Sequence, residues 1–107
     1  MKNEIKDINF DKKGLIPAVI QDADTGEVLM LGYMNEKALK LTLEGPDVCF
    51  YSRSRQEMWY KGETSGNFIK VKEVWKDCDN DTILVKAKPM GPVCHTGSKS
   101  CFFQKIK

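Results

Sequence analysis

Nothing in this chain approaches the run of about 20 apolar residues that a membrane helix needs. Its first dozen residues, Met1 to Lys12, are polar rather than an apolar leader. The expectation is a cytoplasmic protein with no membrane partner. Charge of one sign is scarce too: a net charge of +2 is too small to attract a polynucleotide or an anionic bilayer, so no nucleic acid is expected. Repeats, linkers and low-complexity segments are absent, and 107 residues leave length for a single domain, 1–107. Histidine occurs once, as His95. The four cysteines, in a chain without an export signal, favour reduced thiols or metal over disulfides. A chain this small buries a modest fraction of its surface, so a metal or a partner subunit would help stabilise it.

What is present reads as α+β, mostly antiparallel β-sheet with one or two helices. Leu15 to Asp22 is rich in β-formers and runs into Asp24-Thr25-Gly26, a turn; Glu27 to Met34 follows as the second strand of a hairpin. Asn35 suits the N-cap of a helix over Glu36 to Leu43, which Gly45-Pro46 stops. Val48 to Arg55 reads as a third strand leading to Met58-Trp59-Tyr60 and a polar loop, Lys61 to Asn67. Phe68 to Trp75 and Ile83 to Ala87 complete the body, the last alternating cleanly between Ile83, Val85, Ala87 and Leu84, Lys86, Lys88. The opening residues, with Ile5, Ile8 and Phe10, read as a short helix or an arm.

Within 25 residues the C-terminal part holds three cysteines, the histidine and three aspartates. Thiolate and imidazole suit Zn²⁺, whereas carboxylates suit a hard cation such as Mg²⁺. Cys78, Cys94 and Cys101 are one sulfur short of a closed Cys₄ site, which points to catalysis rather than structure. Six residues separate Cys94 from Cys101, so the pair is no zinc ribbon, but Thr96-Gly97-Ser98 is small enough to curl back and bring both sulfurs to one ion. Inert packing of the thiols is the alternative. His95 neighbours Cys94 and suits either a general base or a fourth ligand. Asp77, Asp79 and Asp81 open like an EF-hand loop, yet Thr82 and Lys88 stand where that loop needs Gly and Glu. A hydrated Mg²⁺ or a plain solvated turn both fit the triplet.

Candidate anion contacts lie between these elements. Strand alternation would put Arg53 and Arg55 on one face, where guanidinium forks suit phosphate oxygens. Lys61 with Thr64, Ser65 and Asn67 adds a cation and polar groups to a glycine-bearing loop that is not a P-loop. A phosphorylated small molecule is the expected ligand.

Several ordered motifs together resemble one family, the phosphoribosyl-AMP cyclohydrolases of histidine biosynthesis, in their stand-alone form. They are Gly14-Leu15-Ile16-Pro17-Ala18, Thr25 to Met30, Gly32-Tyr33-Met34-Asn35, Ser52 to Arg55, Lys61 to Asn67, Asp77 to Asp81, Cys94-His95-Thr96-Gly97 and Ser100-Cys101-Phe102. The resemblance implies an intertwined homodimer in which Cys78, Cys94 and Cys101 bind zinc shared between subunits. It also implies magnesium at Asp77, Asp79 and Asp81, and leaves Cys49 as a packing residue. The implied substrate is 1-(5-phosphoribosyl)-AMP, whose adenine ring opens at N1–C6 after hydroxide adds to C6. Zinc with an open position lowers the pKa of water to about 7; His95 would take the water proton, and Arg53, Arg55 and Lys61 would meet the two phosphates. Two rivals stand against this. A zinc nucleobase deaminase lacks support because its H-x-E and P-C-x-x-C motifs are missing; a structural zinc module would need a closed four-ligand site.

Overall fold

The computed structural model describes residues 5–107. In chain order its elements are β1 (Ile16–Asp22), β2 (Val28–Met34), α1 (Glu36–Glu44), β3 (Cys49–Ser52), β4 (Glu57–Tyr60), β5 (Ile69–Lys76) and β6 (Ile83–Pro89). The class is α+β with one helix. A four-stranded sheet runs β2-β1-β6-β5, and β3 and β4 form a separate ribbon. Three of the strand pairs are antiparallel, as expected, but β1 and β6 are parallel, with Ile20 opposite Val85. The sheet is therefore mixed. Parallel neighbours need a long crossover, and the chain supplies it by passing through α1, the ribbon and β5 before β6 returns beside β1.

Period-two alternation puts Ile16, Ala18 and Ile20 of β1 and Ile83, Val85 and Ala87 of β6 on the buried face. Asn35 Oδ1 accepts the Ala38 N–H at 2.8 Å and starts α1; Gly45, at φ 69°, ends it by donating to Leu41 and Thr42 carbonyls. The helix buries Ala38, Leu39 and Thr42. Loss of the Leu39 side chain would cost about 2–5 kcal/mol. Thr42 Oγ1 accepts from Cys49 N at 3.0 Å and donates to Cys49 O at 3.1 Å, which ties helix to ribbon. Cys49 is buried in the core, in line with the packing role expected of it.

One local reading changes, and one pair of alternatives is decided. The strand expected over Val48 to Arg55 ends at Ser52, because Arg53 to Gln56 turn the chain back into β4. Gln56 N donates to Ser52 O at 2.8 Å with Gln56 at φ 55°, and Arg55 N donates to Ser52 Oγ at 3.2 Å. Serine offered the backbone a turn bond that competed with the ladder. The N-terminal segment, from Ile5 onward, is an arm of turns rather than a helix; Met1 to Glu4 lie outside the described residues. Ile5, Ile8 and Phe10 pack on the core, and Asn9 donates from N to Asn80 O at 2.7 Å and from Nδ2 to Asp79 O at 2.9 Å. No helix among the described residues is long and apolar enough to cross a membrane.

Candidate active site

A cleft of about 790 Å³ opens between the β3–β4 ribbon with its following loop and the segment Pro92 to Gly97. The ribbon register, Phe50 against Trp59 and Ser52 against Glu57, delivers one wall. The loop after β4 is folded on itself: Glu63 Oε1 accepts from Tyr60 N at 2.6 Å, Gly66 N donates to Gly62 O at 2.6 Å, and Asn67 N donates to Ser65 Oγ at 3.2 Å. Gly62 is obligatory here. It sits at φ 103°, and a Cβ on it would lie 2.5 Å from the backbone of Asn67 and Phe68.

The opposite wall is a closed loop. Val93 N donates to Lys99 O at 3.1 Å, Cys94 N to Ser98 O at 3.0 Å and Gly97 N to Cys94 O at 3.0 Å. This curl brings the Cys94 and Cys101 thiols near enough for each to influence the other's ionisation. Thr96 Oγ1 donates to Cys94 Sγ at 3.1 Å. That hydroxyl, then the Thr96 N–H, the Cys101 thiol and the Lys61 charge, pull the Cys94 thiol below its ordinary value. Burial, and then Cys94 itself, push Cys101 up.

Arg55, Lys61, Thr64, Ser65, Asn67, Cys94 and His95 all line this one cleft. Cys94 is buried and His95 exposed, so the neighbouring side chains meet it from different depths. Arg53 does not join them. The turn at Ser52 to Gln56 removes the strand alternation that would have paired it with Arg55, and its guanidinium lies 3.9 Å over the Tyr33 ring. Arg55 instead pairs with Glu57 at 3.6 Å. Residues that sequence reasoning did not propose as contacts, Glu57, Met58 and Glu63, also face the cleft; Glu63 lay in plain view inside the Lys61 to Asn67 loop.

Asp77, Asp79 and Asp81 form a second cluster, in the β5–β6 turn, with carboxylate oxygens within 4.8 Å of one another. Asp77 Oδ1 accepts from Asp81 N at 3.0 Å and Thr82 N at 3.2 Å. Burial raises Asp77, but hydrogen bonds from Asp81, Asp79 and Thr82 outweigh it and leave its carboxyl below the usual range. Asp79 goes the other way, raised first by its hydrogen bond with Asp81, then by burial and the neighbouring charges. Three oxygens that crowd and repel are a donor set that fits a hard divalent cation. Two neighbouring thiols fit a soft one.

The third thiol is elsewhere. Cys78 sits in the acidic turn, beyond the Ile83 end of β6, whereas the cleft lies past Pro89 at its other end. At about 3.3 Å per residue, β6 separates the two by about 20 Å. Among the described residues, Cys78, Cys94 and Cys101 do not converge within one chain.

A family model described as phosphoribosyl-AMP cyclohydrolase matches residues 30–103. The chain is 57% identical over 107 residues to the phosphoribosyl-AMP cyclohydrolase of Clostridium botulinum (strain Alaska E43 / Type E3), covering 99% of this chain and 98% of that one. The protein of the same name from Listeria innocua is 59% identical over 95 residues, covering 89% and 90%. The histidine biosynthesis bifunctional protein HisIE of Caldanaerobacter subterraneus subsp. tengcongensis is 56% identical over 103 residues, and the chain spans 50% of its length. The family model and the relatives make this a hydrolase. The chain belongs to the phosphoribosyl-AMP cyclohydrolase family.

Proposed function

We propose that the cleft opens the adenine ring of 1-(5-phosphoribosyl)-AMP at N1–C6, a step of histidine biosynthesis, and that two copies of the chain build each site. One observation carries this reading: a low-pKa thiol, the sole histidine and the cations Arg55 and Lys61 share one cleft with the hydroxyl-bearing loop. A substrate with two phosphates needs that combination, since Arg55 and Lys61 supply charge and Thr64, Ser65 and Asn67 supply hydrogen bonds. His95, exposed at the mouth, takes the proton of the attacking water and returns it to a ring nitrogen. Cys94 and Cys101, joined by Cys78, would hold zinc, which when bound supplies a hydroxide nucleophile at neutral pH by lowering the pKa of water to about 7. Asp77, Asp79 and Asp81 would hold magnesium. Arg53, seated on Tyr33, stays a candidate phosphate contact only if it leaves that ring.

The separation of Cys78 from the cleft supports a homodimer with a shared zinc site: the ligand that one chain cannot bring across its own sheet comes from the other. Val28, Leu31, Phe102 and Phe103 are exposed apolar residues that such a dimer would cover. The free thiols accord with work in the reducing cytoplasm.

The test is hydrolysis of purified 1-(5-phosphoribosyl)-AMP, followed by absorbance with magnesium present and zinc retained. Turnover abolished by a zinc chelator is the expected result. A folded, zinc-loaded dimer without turnover would reject the reading.

A further inference from the structure

The loop that carries Cys94 and Cys101 contains glycine and serine and has no secondary structure of its own, yet it is tied down at a single charged residue. Lys99 Nζ lies 3.0 Å from Asp22 Oδ2 and 3.2 Å from Glu27 Oε1. Asp22 is a buried carboxylate with its side chain 7% exposed, and its two oxygens divide their work. Oδ1 accepts from Asp24 N at 2.8 Å and Thr25 N at 3.2 Å and so shapes the β1–β2 turn; Oδ2 faces Lys99. The Lys99 carbonyl meanwhile accepts from Val93 N, directly before Cys94. On its other side Ser100 Oγ donates to Val28 O at 2.8 Å, and Cys101 N donates to Leu29 O at 2.7 Å. Lys99 thus stands where the limb bearing Cys94 is bonded to the limb bearing Cys101, which is itself fastened to the β1–β2 hairpin.

We propose that Lys99, clamped by Asp22 and Glu27, is a positioning residue that presets the separation of the Cys94 and Cys101 thiols. This rests on the reading of those thiols as zinc ligands, and extends it to residues that touch neither substrate nor metal. Ordering two ligands before an ion arrives removes part of the entropy cost of binding it.

Two substitutions isolate the clamp. Asp22→Asn keeps an oxygen for Asp24 N and Thr25 N and removes the charge facing Lys99. Lys99→Met keeps the aliphatic stem and removes the ammonium. In chelator-treated full-length protein, oxidised glutathione converts the Cys94 and Cys101 thiols to a disulfide and leaves as two reduced glutathiones. Mass spectrometry quantifies that disulfide at equilibrium. The effective concentration of the thiol pair should fall about tenfold in both variants, and Lys99→Arg should restore it. Cobalt(II), followed by its thiolate absorption, should need about tenfold more metal for half-saturation. An unchanged glutathione equilibrium in Asp22→Asn and Lys99→Met would overturn the clamp, including where the melting temperature falls. A wild-type protein that takes up cobalt without a thiolate band would reject the ligand reading, while the glutathione equilibrium would still decide the clamp.

Discussion

The two ends of β6 are opposite in kind. At the Pro89 end the chain builds a cleft whose groups already support one another: Thr96 on Cys94, Lys61 beside it, and a glycine loop closed by its own hydrogen bonds. At the Ile83 end it builds a turn of three crowded carboxylates, where the Asp81 hydrogen bond, ahead of burial and the neighbouring charges, pushes Asp79 up. One end is prepared and the other is strained by charge. The cleft end holds two of the chain's thiols, Cys94 and Cys101, and the acidic turn holds a third, Cys78. In the proposed dimer each end completes the other, and the length of β6 ceases to be a barrier.

The sharpest way to break this contrast is to disable the two ends in different chains. Cys94→Ala and Cys78→Ala should each cost at least about 10²–10³-fold in turnover. Mixing the two inactive proteins under exchange should return roughly a quarter of wild-type activity, because half the dimers are mixed and each has one intact site. Mixtures that stay dead would mean that the ends never meet.

Of similar size is His95→Ala, expected to lower kcat about 10²–10³-fold while zinc content stays constant. Zinc lost from that variant would turn the imidazole from a base into a ligand. Asp79→Asn tests the other end. It should raise the magnesium needed for half-maximal turnover roughly tenfold without releasing zinc. An unaltered magnesium titration would leave the acidic turn without its proposed role.

The smallest effect concerns pH. Hydrogen bonding from Asp24 N–H, then Lys99, holds Asp22 below the ordinary carboxylate range. The folded chain therefore binds fewer protons there than the unfolded one. The resulting stability is complete above the unfolded pKa of about 4 and is lost as pH falls through the lower folded value. Urea midpoints measured from pH 6 down to pH 3 should drop less steeply in Asp22→Asn than in wild type. Equal slopes would show that Asp22 titrates alike in both states.

Much of the fold was legible because it is local. Asn35 and Gly45 bracket α1, Asp24-Thr25-Gly26 turns β1 into β2, and the alternation of Ile83, Val85 and Ala87 marks a one-faced strand; each is a rule spanning a few residues. What failed was also local, but it depended on competition. Ser52 to Gln56 has strand alternation on paper, and turn bonds to Ser52 won. That one difference separates Arg53 from Arg55. The parallel pairing of β1 with β6 lay beyond any local signal, since nothing near Ile20 names Val85 as its neighbour.

The chain's composition and motifs by themselves determined the class, the caps, the thiol and carboxylate donor sets and the family, because side-chain chemistry and short-range hydrogen bonding are written residue by residue. Only the tertiary structure decided which donors share a space. It put Cys94 and Cys101 on one loop beside the cleft, left Cys78 beyond the far end of β6, and set Lys99 against Asp22. The reason is that proximity across a sheet depends on strand order and register, which arise from burying the whole core at once.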